Sequence, residues 1–326
     1  MHFNSLLSLA LASAVASSGS PGCNKTAPAH FPTPGSSKNL QLPGSDREYR
    51  LFIPANYSSA TPAPVYFSFH GASKNMTQQE DLSQFSNPEF NKDGIAIYPN
   101  SQNGYWLSHP KANTSRPNDL DFTNDLLNHV EEELCVDRNR VFSAGKSNGG
   151  GFTTVIACNA TVGSRFTAFS SVSGAYYDTD DIPGVGPCKP APRHEGYPFL
   201  EFHGTTDTTA PIDGNTKSNP KQPVIDVLDT FAKYNGCGSK DQYATVTNET
   251  VFEDPLVKHV SWDCEGRKGI VQHYREGDNG HCWPSTVPNN DFEKLASQCK
   301  LGKYVFNATE YIFDFFGGYR LNQLHY

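Results

Sequence analysis

The sequence lacks an apolar run long enough to cross a bilayer. A transmembrane helix needs about 20 mostly apolar residues in succession, whereas the run at residues 6–15 is short and no later stretch approaches that length. The run ends in Ala14, Val15 and Ala16, a small-residue pattern typical of signal-peptide cleavage. We therefore predict a signal peptide at residues 1–19, a secreted, extracellular protein, and no membrane partner.

Positive charge is also scarce. The 26 Lys and Arg residues are outnumbered by 34 Asp and Glu, which leaves a net charge of −8. This balance argues against nucleic acid or an anionic membrane surface as a partner. The chain has no internal repeat and no long linker, and its 326 residues suit one large α/β domain or two small ones. We predict a single catalytic domain at residues 20–326, without a carbohydrate-binding module.

The eight cysteines contain no pair with the C-x₂-C spacing that is typical of zinc sites. An even number of cysteines after a signal peptide favours four disulfides, for which 105 connectivities are possible. We expect Cys237 to pair with Cys264 and Cys282 with Cys299. No metal site is predicted.

Seven Asn-x-Ser/Thr sequons are present, and in a secreted eukaryotic chain such sequons are candidate glycan sites on the surface. They begin at Asn24, Asn56, Asn75, Asn113, Asn159, Asn248 and Asn307.

Short apolar runs alternate with helical patterns along the chain. Strands are predicted at 47–54, 65–70, 94–99, 140–144, 167–173, 197–203 and 270–274, and helices at 121–134, 150–160, 224–234 and 309–316. Residues 17–45 are predicted to be an N-terminal arm. Because the strands are continuous apolar runs separated by helices, we predict a mostly parallel central sheet with helices on both faces. This is the α/β class, and an α/β-hydrolase fold.

The sequence Gly145-Lys146-Ser147-Asn148-Gly149 lies between the predicted strand at 140–144 and the following helix. Strand, tight turn and helix are the setting in which Gly-x-Ser-x-Gly exposes a nucleophilic serine. The N–H group of Asn148 would then point towards a developing oxyanion. A glycine-rich turn without catalytic function is the alternative unless the serine has partners.

A serine nucleophile needs a base and an acid that orients the base. In α/β-hydrolases these follow the serine in the order acid, then histidine. Asp207 lies just past the strand at 197–203 and is favoured over Asp213, which is farther from the strand end. His281 lies on a glycine-containing loop after the last strand. The N–H of Ala72, in the loop after the strand at 65–70, is the second predicted oxyanion donor.

Four segments together resemble the secreted fungal feruloyl esterases of carbohydrate esterase family 1, relatives of poly(3-hydroxybutyrate) depolymerases and acetylxylan esterases. They are SFHG at 68–71, GKSNGGGF at 145–152, HGTTD at 203–207 and GHCWP at 280–284. The resemblance implies release of ferulic and related hydroxycinnamic acids from arabinoxylan or pectin, and from small hydroxycinnamate esters. It implies Ser147 as nucleophile, Asp207 as acid and His281 as base, without metal or cofactor. Tannase-like feruloyl esterases differ, because they carry a cysteine beside the catalytic serine.

Three aromatic residues, Tyr105, Trp106 and Trp283, are candidates to stack on an aromatic acyl group or a sugar, with burial in the core as the alternative. The substrate is less well determined than the reaction. An acetylxylan esterase or a polyester depolymerase would use the same fold and the same three residues. A non-catalytic wall-binding protein is disfavoured because the set of Ser, Asp and His is intact.

Overall fold

The computed structural model describes residues 19–178, 182, 185–215, 221–237, 246–254, 256–289, 291, 299 and 305–321. Apart from Gly19, the predicted signal peptide lies outside the described residues. Within the described ranges, no helix combines the length and the apolar character needed to cross a membrane.

Among the described residues, ten strands form one sheet at the centre of the protein. The strands are β1 (Ser36–Gln41), β2 (Glu48–Ile53), β3 (Ala63–Phe69), β4 (Ile95–Pro99), β5 (Val136–Lys146), β6 (Ala168–Val172), β7 (Phe199–Gly204), β8 (Val246–Glu253), β9 (Leu256–Cys264) and β10 (Arg267–Glu276). Their order across the sheet is β1-β2-β4-β3-β5-β6-β7-β10-β9-β8. The six strands from β4 to β10 in this order are mutually parallel, and the pairs at both edges are antiparallel.

Helices cover both faces of the sheet. They are α1 (Met76–Ser83), α2 (Asp119–Glu133), α3 (Asn148–Cys158), α4 (Val224–Tyr234) and α5 (Ala308–Gly317). Alternate residues of β3 divide between the faces: Phe67 belongs to the buried cluster that contains side chains of α2, α3 and α4, whereas Tyr66 belongs to the one that contains side chains of α1 and α5. Since both faces are buried, all seven residues of β3 are buried, as expected for a continuous apolar strand. The predicted α/β-hydrolase fold class is confirmed.

Four elements were not predicted from the sequence. Helix α1, with the sequence MTQQEDLS, lacks an apolar stripe; the side chain of Asn75 caps its N-terminus by accepting hydrogen bonds from the N–H groups of Thr77 and Gln78. Strand β1 falls within the predicted N-terminal arm and is a polar edge strand. Strands β8 and β9 mix polar and apolar residues and pair with each other at the opposite edge. For these three strands, pairing with neighbouring strands rather than an apolar period determines the element.

Four disulfides join all eight cysteines. The predicted pairs Cys237–Cys264 and Cys282–Cys299 are confirmed, and the other two are Cys23–Cys135 and Cys158–Cys188. The Cys23–Cys135 bond links the N-terminal segment to the residue that precedes β5. The Cys282–Cys299 bond tethers the loop that follows β10.

One predicted glycan site is wrong. The side chain of Asn307 is buried, with 1% of its surface exposed, and it caps α5 by accepting a hydrogen bond from Thr309 N. A glycan on this side chain has no room in the folded protein. Asn24, Asn75 and Asn113, by contrast, are exposed.

Candidate active site

Ser147 occupies the sharp turn between β5 and α3. Its backbone has φ 55° and ψ −118°, a left-handed conformation that costs a residue other than glycine free energy. Neighbouring backbone groups hold the turn: Ser147 N donates to Val172 O at 3.0 Å, and Ser147 O accepts from Gly151 N at 3.0 Å and Ala175 N at 2.9 Å. The strain is therefore held in place by the ends of the parallel strands and the start of α3.

The two glycines of the motif are required by close backbone contacts. A Cβ atom on Gly149 would lie 2.1 Å from the carbonyl oxygen of Phe69, and one on Gly145 would lie 2.3 Å from that of Gly149. Any side chain at either position would push α3 away from the sheet. This close approach is the physical reason for Gly-x-Ser-x-Gly at the turn.

The structure brings Ser147, His281 and Asp207 into one hydrogen-bonded chain. His281 Nε2 lies 2.8 Å from Ser147 Oγ, and His281 Nδ1 lies 2.7 Å from Asp207 Oδ2. The other oxygen of Asp207 accepts hydrogen bonds from the N–H groups of Thr209 and Ala210, both at 2.8 Å. The three side chains follow β5, β7 and β10, whose carboxyl ends share one edge of the sheet.

Asp213, the alternative acid, is exposed to solvent. In the part of the chain that the structure describes, no hydrogen bond joins it to His281.

The surroundings of His281 and Asp207 set the protonation state of each side chain. Burial and the nearby Lys146 ammonium lower the pKa of His281, and the partly opposing influence of Asp207 does not reverse this. Burial alone would raise the pKa of Asp207, but the hydrogen bond and charge of His281 and the charge of His203 lower it overall. At neutral pH the pair is therefore a neutral imidazole beside a carboxylate, the state required of a general base.

One predicted oxyanion donor, Asn148, directly follows the serine in the chain, and the other, Ala72, is in the loop after β3. Asn148 is the first residue of α3, where a helix N–H has no intrahelical acceptor. Its side chain is turned away, accepting from Trp106 N at 2.8 Å and donating to Ser108 Oγ at 2.6 Å. Ala72 lines the same cavity as Ser147.

A cavity of about 300 Å³ opens beside the serine. This volume lies at the lower end of the range for small-molecule sites. Helix α1, which was not predicted, supplies much of one wall, and its Leu82 is the largest apolar group there. The described lining residues are Gly71, Ala72, Lys74, Gln78, Gln79, Leu82, Lys146, Ser147, Thr209, His281 and Asp291.

The predicted substrate-stacking roles of two tryptophans are wrong. Trp106 and Trp283 are 0% and 1% exposed, so neither ring can meet a substrate. Their indole N–H groups donate to His70 O at 2.9 Å and Thr309 Oγ1 at 3.0 Å, which satisfies the only polar atom of each side chain. Both rings are core packing that supports the loops around the site. Tyr105 is only partly buried and stays a candidate.

A buried ion pair beneath the histidine loop was not predicted from the sequence. Lys146 Nζ lies 3.0 Å from Asp291 Oδ2 and donates to the carbonyl oxygen of His281 at 3.1 Å. Asp291 Oδ2 also accepts from Trp283 N at 2.7 Å. The pair therefore holds the backbone on both sides of Cys282. A lysine inside the serine motif was the only sequence signal for it.

We expect Lys146→Met to destabilise the protein by about 3–5 kcal/mol, because removing one partner leaves the Asp291 carboxylate buried and unpaired. The double variant Lys146→Met/Asp291→Asn should recover part of this loss. Chemical denaturation measures both free energies of unfolding. Lys25→Met is the matched control: its partner Glu132 lies 3.6 Å away, but the two side chains are 50% and 59% exposed, so the loss should stay below about 1 kcal/mol. Equal losses for the two lysines would contradict the expectation.

The sequence is similar to known proteins over most of its length. No family model matches the sequence. Feruloyl esterase C of Emericella nidulans is 30% identical over 227 residues, which are 68% of this chain and 71% of that protein. A probable feruloyl esterase C of Aspergillus niger is 29% identical over 242 residues, or 73% of this chain and 77% of that protein.

A solved structure shares the fold. The acetyl xylan esterase from Aspergillus awamori superimposes with a TM-score of 0.55 and covers 77% of this chain and 95% of its own, at 16% identity. At this identity the similarity extends to the fold alone.

Proposed function

The chain belongs to the feruloyl esterase family, and we propose that it releases ferulic and related hydroxycinnamic acids from esterified plant cell-wall polysaccharide. It is a carboxylic ester hydrolase. The observation that carries the proposal is the unbroken chain of hydrogen bonds from Ser147 through His281 to Asp207, of which Ser147 and His281 line the cavity. The proposed substrates are feruloylated arabinoxylan or pectin and small hydroxycinnamate esters.

In the proposed reaction Ser147 Oγ attacks the ester carbonyl carbon while His281 Nε2 takes the hydroxyl proton. The tetrahedral oxyanion is stabilised by the N–H groups of Asn148 and Ala72. The intermediate collapses as His281 protonates the departing sugar hydroxyl, leaving an acyl group on the serine. Water, deprotonated by the same imidazole, then releases the acid and restores the enzyme. Asp207 keeps the imidazole in the required tautomer, and no metal or cofactor takes part in these steps.

Secretion is part of the proposal. Disulfides persist in oxidising compartments, and the four in this protein engage every cysteine. Together with the predicted signal peptide they support an extracellular enzyme, which is where cell-wall polysaccharide would be met.

The test is a side-by-side measurement of initial rates on methyl ferulate and on acetylated xylan with purified protein. We expect a large excess of rate on methyl ferulate. Rapid deacetylation with little ferulate release would overturn the hydroxycinnamoyl specificity and leave the esterase mechanism in place. Activity on neither substrate would count against the proposed function itself and favour a polyester substrate or wall binding without catalysis.

A further inference from the structure

A buried group of ionisable side chains lies directly beneath Asp207. Glu201 and His203 alternate along β7 and therefore share one face of the sheet, and both side chains are fully buried. His203 Nδ1 lies 2.8 Å from Glu201 Oε1, and His203 Nε2 lies 3.5 Å from Asp207 Oδ2. The oxygen that receives the hydrogen bond of His281 therefore also faces the ring of His203.

Both ring nitrogens of His203 face acceptors. Nδ1 meets the Glu201 carboxylate, and Nε2 lies 2.7 Å from the carbonyl oxygen of Ala210. A carbonyl oxygen and an ionised carboxylate can only accept hydrogen bonds, whereas a neutral imidazole has a single N–H. The two contacts are both satisfied only when His203 carries a proton on each nitrogen. The geometry therefore favours an imidazolium cation at this position.

The charges around the ring support the same state. Burial alone would lower the pKa of His203, but the carboxylates of Glu201 and Asp207 outweigh it and raise the pKa to about 9. Burial alone would raise the pKa of Glu201, yet His203 and its neighbours lower it overall. The cation and the two anions are thus mutually dependent. Lys221 is partly buried, and its ammonium group also interacts with the charge of Asp207.

Three further titratable groups complete the surroundings. Burial raises the pKa of Glu276, on β10, to about 8, so at neutral pH it is an uncharged acid. Tyr176 OH lies 3.4 Å from Glu201 Oε1, and burial raises its pKa well above the usual value. His273 Nδ1 lies 2.6 Å from Glu201 Oε2, so this ring faces the second oxygen of the same carboxylate. Neither Glu276 nor Tyr176 supplies a cation that could replace His203.

We propose that His203 is a positioning residue, a fixed imidazolium that keeps Asp207 ionised as the partner of His281. This inference rests on the proposed function. Without the cation, Glu201 and Asp207 would be two neighbouring buried carboxylates, and such a pair retains one proton to a higher pH. Whenever Asp207 held that proton, His281 would lose its anionic partner and the serine would lose an effective base. Catalysis would then require a higher pH.

The experiment is the pH profile of kcat/KM for His203→Gln and Glu201→Gln. We expect the acid limb of His203→Gln to move to higher pH by about 1–2 units, with activity recovering towards the wild-type value on the alkaline side. Glu201→Gln should move the limb by less, because it removes the second carboxylate and leaves no pair of like charges. The double variant should therefore lie closer to the wild type than His203→Gln alone, since Asp207 no longer has a carboxylate neighbour. A loss that is equal at every pH, with the limb unmoved, would overturn the proposal.

His259→Gln is the matched control. His259 also bridges a glutamate, with Nδ1 2.9 Å from Glu249 Oε1, but it lies on β9, away from the serine. The acid limb of the kcat/KM profile of His259→Gln should coincide with that of the wild type. A shift as large as that of His203→Gln would show that the effect is not specific to Asp207 and would overturn the proposal.

A measurement on the wild-type protein covers the case in which His203→Gln does not fold. Histidine-selective ¹⁵N labelling should show one imidazole that keeps both ring protons at pH 7–8. The signal is assigned to His203 by its change in the Glu201→Gln variant. A neutral ring there would overturn the proposal whatever the variants do. Lack of esterase activity in the wild type would count against the proposed function alone, because the ring signal reports the charge of His203 independently of turnover.

Discussion

Ser147→Ala is expected to lower kcat by about 10⁵–10⁶-fold, as removal of the nucleophile does in other enzymes with a serine triad. Alanine has no atom to form the acyl intermediate, so only the binding site and the oxyanion donors remain to accelerate attack by water. The measurement is the steady-state rate on methyl ferulate. Because His281 and Asp207 stay in place, the free energy of unfolding should change by no more than about 1 kcal/mol.

A covalent probe separates loss of the nucleophile from loss of the site. An alkyl fluorophosphonate should add its mass to the wild-type protein and to Ser164→Ala, a control serine that is exposed, but not to Ser147→Ala. Turnover that survives in Ser147→Ala, or labelling at a different serine, would show that Ser147 is not the nucleophile.

Asp207→Asn is expected to lower kcat by about 10³–10⁴-fold at neutral pH. The amide is similar in shape to the carboxylate but uncharged, so it no longer stabilises the imidazolium that forms on His281 during attack. An amide N–H₂ group turned towards Nδ1 would also favour the tautomer whose Nε2 carries a proton and cannot accept one from the serine. The steady-state rate on methyl ferulate checks this, with melting temperature as the test of folding.

Asp213→Asn is the control for this substitution. Asp213 lies six positions later in the same loop but is exposed, so the same chemical change should leave kcat within about twofold. A large loss in Asp213→Asn together with a small one in Asp207→Asn would exchange the proposed acid for its alternative. Equal losses in the two variants would indicate that the loop as a whole, rather than one carboxylate, supports catalysis.

Short-range patterns account for what could be predicted. The central strands were predicted to within a few residues because burial on both faces demands continuous apolar runs, as in β3 and β7. Helix α4 was predicted at its observed bounds because one side of it is consistently apolar. The glycine spacing marked Ser147 because a turn this tight excludes side chains at Gly145 and Gly149, two positions before and two after the serine.

Chain order narrowed the search for the partners of the serine. In a parallel sheet the segments that follow successive strands meet at one edge, so Asp207 after β7 and His281 after β10 could be chosen from their places in the sequence. Composition could not show which aromatic residues are exposed. Trp106 and Trp283 each occur beside polar or glycine-rich segments, yet both rings are buried and contact aromatic rings distant in sequence.

The sequence by itself thus determined the class of fold, the position of the turn at Ser147 and the order of its partners, because these depend on local conformation and on strand order. Only the tertiary structure decided which charges meet. Lys146 and Asp291 are 145 positions apart, and Cys23 and Cys135 are 112 apart. The charge of His203 depends on two acceptors placed by β7 and the loop after it. Burial makes such contacts strong, and burial is a property of the folded chain that no single segment carries.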